Sequence, residues 1–317
     1  MGDFHQALFY FIGNCVAFPI KQKKRSAWIA LRRKRNLSLR DPPQVENPAM
    51  QDSIFAVPWN GEIMKKIAII TGASSGLGRE FARAVLREEQ IDELWVIARR
   101  EDRLQELRKE LGAKVRPVAL DLLKKESFRT LKQMLDKEKP QIHILVNASG
   151  FGKYGTYADL TEEEINNMID LNCKSVVHMS YLCLHYMKRG DRIITMGSSS
   201  AFQPLPYFNM YASSKVFVMH FCRALNVELK NRGITVTCVC PGYVRTEFFQ
   251  VAQDTKNPTT CTNFNPMYEP EDVVEKALKD SRKGKDMSVL GGHVQRLRFL
   301  SKLLPAGLVM KTWLKIK

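Results

Sequence analysis

The chain has 317 residues, 44% of them hydrophobic and 26% charged, with a formal net charge of +16. That length suits one catalytic-size domain with an ample core and terminal extensions. The basic excess lies at the ends, nine basic and five acidic side chains in residues 1–63 and nine and one in residues 281–317, which excludes a nucleic-acid reading patch.

Residues 1–63 read as an N-terminal extension and linker. An apolar run at 7–20 is about 14 residues long, short of the ~20 needed to span a bilayer, and basic clusters follow it at 21–25 and 32–35. A secretory signal would carry its charge before the apolar run and a cleavage site after it. Pro42, Pro43, Pro48 and Pro58 mark 40–61 as a linker. Met64-Lys-Lys-Ile reads as an alternative start, with nothing before it needed for folding.

From Met64 onward, apolar runs predict strands at 67–70, 94–97, 115–120, 142–146, 193–196, 234–239 and 287–290. Helical patterns at 101–111, 127–137, 161–187, 207–231 and 271–282 separate them. The alternation predicts an α/β fold, a Rossmann-like doubly wound parallel sheet forming a single domain over residues 64–291.

The first strand runs into Gly72-Ala-Ser-Ser-Gly76-Leu-Gly78 and then an amphipathic helix carrying Leu77, Phe81, Ala84 and Val85. Strand, glycine turn and helix in that order form a dinucleotide cradle, because glycines let the backbone approach a pyrophosphate at a helix N-terminus. About 20 residues on, an NAD-binding domain presents an acidic side chain to the ribose. Here stand Arg99 and Arg100, whose guanidinium groups suit a 2′-phosphate. NADP(H) is therefore expected over NAD(H).

Tyr211 and Lys215 are four residues apart, so a helix sets phenol and ammonium on one face. A cation beside a phenol lowers its pKa and makes it a usable acid. Thirteen positions upstream, Ser198 ends a predicted strand, where catalytic groups of open α/β sheets gather. Ser199 and Ser200 read as loop.

These motifs resemble the short-chain dehydrogenase/reductase superfamily over roughly residues 64–291. The resemblance assigns Gly72, Ser74, Ser75, Gly76, Leu77 and Gly78 to the cofactor loop and Asp121 to the adenine. The family's Asn-Asn-Ala-Gly motif becomes Asn147-Ala148-Ser149-Gly150, carrying over Asn147 and Gly150 and leaving the middle pair open. Pro241, Gly242 and Thr246 match the segment that cradles the nicotinamide.

By the same resemblance the catalytic set is Asn172, Ser198, Tyr211 and Lys215, of which Tyr211 and Lys215 also meet the cofactor. Ser198 would hydrogen-bond a substrate carbonyl and Tyr211 would protonate it. Lys215 would hold the nicotinamide ribose and lower the tyrosine pKa, and Asn172 would anchor water. The implied activity is NADP(H)-dependent interconversion of a ketone or aldehyde with an alcohol; the alternative is a catalytically silent dinucleotide sensor or scaffold. Homo-oligomers are usual in that family.

Phe151, Tyr154, Phe202, Tyr207, Phe248 and Phe249 would line an apolar pocket, suggesting a hydrophobic carbonyl such as a sterol, a 3-oxoacyl group or a xenobiotic. Residues 292–317 form a basic amphipathic segment interrupted at Pro305, which either lies on an anionic membrane surface or covers the pocket or a subunit partner. Seven cysteines show no zinc spacing and no disulfide framework, as expected of reduced thiols in the cytoplasm. His178 and His185 share a helix face without a third ligand, so no metal is expected.

Overall fold

The computed structural model describes residues 64–316; the predicted extension, its linker and Cys15 lie outside the described residues. Seven parallel strands are β1 (Lys66–Thr71), β2 (Glu93–Ala98), β3 (Val115–Ala119), β4 (Gln141–Asn147), β5 (Arg192–Met196), β6 (Thr235–Val239) and, following the short β7 (Tyr243–Val244) and β8 (Met267–Tyr268), β9 (Met287–Ser288). Their order is β3-β2-β1-β4-β5-β6-β9. Both faces of the sheet are covered, so the strands read as nearly unbroken apolar runs.

Alternation along each strand splits the core in two. Ile67, Ile69 and Ile193 face helices α5 (Ser175–Leu184) and α6 (Asn209–Glu228), packing with Met179 and Val218. Ala68, Ile70 and Ile194 face α1 (Gly76–Glu88) and α8 (Pro270–Arg282), packing with Phe81 and Val274. Helices α2 (Glu101–Leu111) and α3 (Lys125–Glu138) complete the crossovers on the β2–β3 side. The strand order reverses between β1 and β4, which opens a crevice beyond their carboxyl ends.

The predicted helix at 161–187 is three pieces. Helix α4 (Glu162–Ile169) starts on a reciprocal cap, Glu164 N donating to Thr161 Oγ1 (3.1 Å) and Thr161 N to Glu164 Oε2 (3.0 Å). A widened π turn, Asp170–Lys174, then leads into α5. Beyond the short helix α7 (Phe248–Gln253), the chain ends in α9 (Gly292–Leu303) and α10 (Ala306–Ile316), broken at Pro305 as expected. These last helices are packed on the domain: Val294 joins the larger core, and Val309 and Trp313 are buried. Among the described residues no helix is long and apolar enough to cross a membrane.

At the opposite end of the sheet from the crevice lies a partly buried charge cluster. Glu89 accepts from Arg192 (2.7 Å) and Arg282 (2.8 Å), and His143 bridges Asp191 (2.9 Å) and Glu89 (3.4 Å). Burial alone would raise the Glu89 pKa, but its bonds to His143, Arg192 and Arg282 overcome it and hold the carboxyl well below 4.5. Burial would likewise lower His143, yet Asp191 and Glu89 raise it above 6.5. Glu89 therefore contributes stability that is present above pH 4.5 and lost as pH falls toward its native value. His143 contributes stability that is present below pH 6.5 and lost as pH rises through its native value. Thermal melts across pH are expected to peak between those limits, and His143→Gln should flatten the alkaline decline.

Candidate active site

The crevice begins where β1 ends. Thr71 Oγ1 accepts from Ala148 N (3.1 Å) and Ser149 N (3.2 Å), lacing the ends of β1 and β4 together. Gly72 takes φ +70°, and a Cβ there would stand 2.7 Å from the Ala148 carbonyl oxygen. A Cβ on Gly78 would collide with the Gly72 carbonyl. Ser75 at the head of α1 makes no side-chain cap, so the first amides of that helix are left for an anion.

A cavity of about 540 Å³ extends from this loop. It is lined by Gly72, Ser74 to Gly78, Arg99, Arg100 and Asp121 at one end and by Gly150, Ser198, Tyr211, Lys215, Pro241, Gly242 and Thr246 at the other. Arg100 donates to Ser74 Oγ (3.1 Å) and pairs with Glu247 (3.2 Å). Arg99, beside it at the end of β2, has no hydrogen bond or ion pair among the described residues. Ala148 and Ser149, unassigned from sequence, also line the cavity.

Two predicted residues stand behind the wall. Asn147 is buried in the sheet and donates to Ser180 Oγ and Thr195 Oγ1 (3.3 Å each). Asn172 is carried inward by the π turn and clamps Phe151, accepting from its N–H (3.0 Å) and donating to its carbonyl (2.8 Å) and to Ser214 Oγ (3.0 Å). Its side-chain amide is thus engaged by protein groups.

Ser198, Tyr211 and Lys215 converge as the sequence spacing predicts. Lys215 Nζ donates to the Met196 carbonyl (2.8 Å) and lies 5.5 Å from the centre of the Tyr211 ring. Burial pushes the Tyr211 phenol well above its ordinary value of 10, and the Ser198 hydroxyl draws it partway back. Burial also lowers the pKa of Lys215. Burial thus keeps the phenol protonated at neutral pH. Ser198 Oγ accepts from Ser200 N (3.1 Å) and shares a side-chain hydrogen bond with Tyr211, so the two hydroxyls meet at one point on the cavity wall.

The far end of the cavity is aromatic. Phe151, Tyr154, Phe248 and Phe249 line it as expected, but Phe202 packs against the larger core and Tyr207, at φ +65°, does not line it. Phe208 takes that place, stacked on Tyr154 (4.0 Å) and Tyr211 (4.4 Å). Buried Lys153 reaches the Asp254 carbonyl (2.5 Å) and Glu164 (3.6 Å), tying the α7 end to the wall. No sequence pattern marks Lys153 or the Arg100–Glu247 pair. Among the described residues no cluster of His, Cys, Asp and Glu is suited to a metal ion.

Trp313 packs in this aromatic cluster and donates from Nε1 to the Pro206 carbonyl (2.8 Å). Trp313→Ala is expected to cost about 3 kcal/mol in denaturant unfolding. Because the turn before Phe208 loses its anchor, KM for an apolar substrate should rise more than kcat falls.

A dinucleotide cradle joined to a serine, tyrosine and lysine at strand and helix ends defines a nucleotide-binding oxidoreductase of the α/β class. The chain belongs to the short chain dehydrogenase family, whose profile matches residues 66–257. A 3-oxoacyl-[acyl-carrier-protein] reductase from Haemophilus influenzae is 32% identical over 202 residues, covering 62% of this chain and 82% of that protein. Estradiol 17-beta-dehydrogenase 11 of Rattus norvegicus is 28% identical, covering 76% and 80%. Among solved structures, a short-chain dehydrogenase from Sphingobium yanoikuyae in complex with NADPH superposes with a TM-score of 0.64 at 26% identity, covering 77% of this chain and 95% of that one.

Proposed function

We propose that this protein is an NADP(H)-dependent reductase of hydrophobic ketones or aldehydes, interconverting them with alcohols. The observation that carries the reading is the convergence of Ser198, Tyr211 and Lys215 between the glycine cradle and the aromatic wall. The glycine backbone, the uncapped α1 amides and Arg99, unpaired among the described residues, fit the phosphates of the dinucleotide. When bound, reduced nicotinamide supplies hydride.

The chain's own groups do the rest. Ser198 donates to the substrate carbonyl oxygen and withdraws charge from its carbon. Tyr211, kept neutral by burial, gives that oxygen a proton. Lys215 is fixed by the Met196 carbonyl and keeps further N–H donors for the nicotinamide ribose. The aromatic wall excludes water and favours an apolar body beside the carbonyl. The buried thiols of Cys173, Cys183, Cys222, Cys238 and Cys240 form no disulfide and support a reducing cytoplasmic setting. Exposed Tyr181 on α5 and Phe217 on α6 support assembly with further copies of the chain.

The test is consumption of NADPH with a panel of sterol, 3-oxoacyl and aromatic carbonyls, repeated with NADH. Turnover with at least one apolar carbonyl is expected; dinucleotide binding without turnover on any would instead favour a silent sensor.

A further inference from the structure

Helix α9 carries its apolar stripe on the outside. Its buried contact is Val294, while Arg296, Phe299, Leu300 and Leu303 follow at helical spacing on the opposite face. Phe299 is 62% exposed and Leu303 64%. After the break at Pro305, α10 turns Val309 and Trp313 inward and Leu308, Lys311, Leu314 and Lys315 outward. Six of the twelve large hydrophobic side chains exposed among the described residues lie between 299 and 314, far more than chance scatter over a surface.

Charge selects what covers this face. Residues 287–317 contain no aspartate or glutamate, and α9 and α10 carry Arg296, Arg298, Lys302, Lys311 and Lys315. A second copy of the same face would bring like charges together, and so would the net-positive residues 1–63. A surface of anionic headgroups over acyl chains complements both the cations and the apolar side chains. The inner side of α10 holds the turn before Phe208 through Trp313, so the exposed side of α10 is about one helix diameter from the aromatic wall.

We propose that α9 and α10 form a docking face for an anionic lipid bilayer, holding the aromatic end of the cavity near a surface that dissolves apolar carbonyls. The delivery of substrate rests on the function proposed above; the docking itself does not. Full-length protein should co-sediment with vesicles of phosphatidylcholine and phosphatidylglycerol and far less with phosphatidylcholine alone, and added salt should weaken it. Phe299→Glu with Leu303→Glu should reduce the vesicle-bound fraction about tenfold and leave the NADPH Kd unchanged.

Wild type that ignores anionic vesicles overturns the proposal. So does a double variant that binds them as wild type does, which would move the anchor to residues 1–63. A variant that loses self-association in sedimentation equilibrium while keeping its vesicle binding would assign the face to a second copy. Vesicle binding by a protein inactive on every carbonyl would remove the proposed reaction and leave the docking face standing.

Discussion

Tyr211→Phe is expected to lower kcat/KM for carbonyl reduction by about a thousandfold, the range of a lost general acid, with the NADPH Kd unchanged. Phenylalanine keeps the ring contacts to Phe208 (4.4 Å) and Phe248 (5.3 Å), so the wall survives and only the proton donor goes. The protonation state sharpens the test. Reduction needs the neutral phenol, and burial holds its pKa above 10, so the wild-type rate should show no tyrosine-dependent decline between neutrality and that value. Ser198→Ala removes a polarising donor but leaves the acid, and a smaller loss is expected. Steady-state kinetics with the best carbonyl of the panel decides it: Tyr211→Phe within twofold of wild type would remove the phenol from the reaction.

What the sequence discloses here is local periodicity and spacing. The apolar runs of β1, β4, β5 and β6 are legible because strands buried on both faces have no polar side to obscure them. The pairing of Tyr211 with Lys215 needs only helix geometry. The π turn at Asp170–Lys174 is not legible, since one extra residue in a helical turn leaves the apolar pattern almost intact, and its consequence is the inward turn of Asn172 onto Phe151. The exchange of Phe208 for Tyr207 in the wall follows from the left-handed backbone at Tyr207, which redirects its side chain. The sign of the Tyr211 pKa depends on how much chain covers the phenol, a property of the assembled tertiary structure that no spacing reports.

The proposed preference for NADP(H) rests on two arginines in different circumstances, and they are expected to respond differently. Arg99 has no partner among the described residues, while Arg100 is shared between Ser74 and Glu247, the latter from the segment after Thr246. Arg99→Asp with Arg100→Asp puts carboxylates where a 2′-phosphate would sit, and the NADPH Kd should rise about a hundredfold as charge-assisted bonds turn to repulsion. The NADH Kd should change little, so the ratio inverts. Glu247→Gln should act in the opposite sense: the carboxylate competes with the phosphate for Arg100, and its removal should tighten NADPH about threefold, the scale of one exposed ion pair, with no effect on NADH. Titration of both dinucleotides by fluorescence or calorimetry reads all four values. A Kd ratio unmoved by the double aspartate variant would show that neither guanidinium reads the phosphate, and a weaker NADPH complex in Glu247→Gln would mean that Glu247 positions Arg100 and does not compete for it.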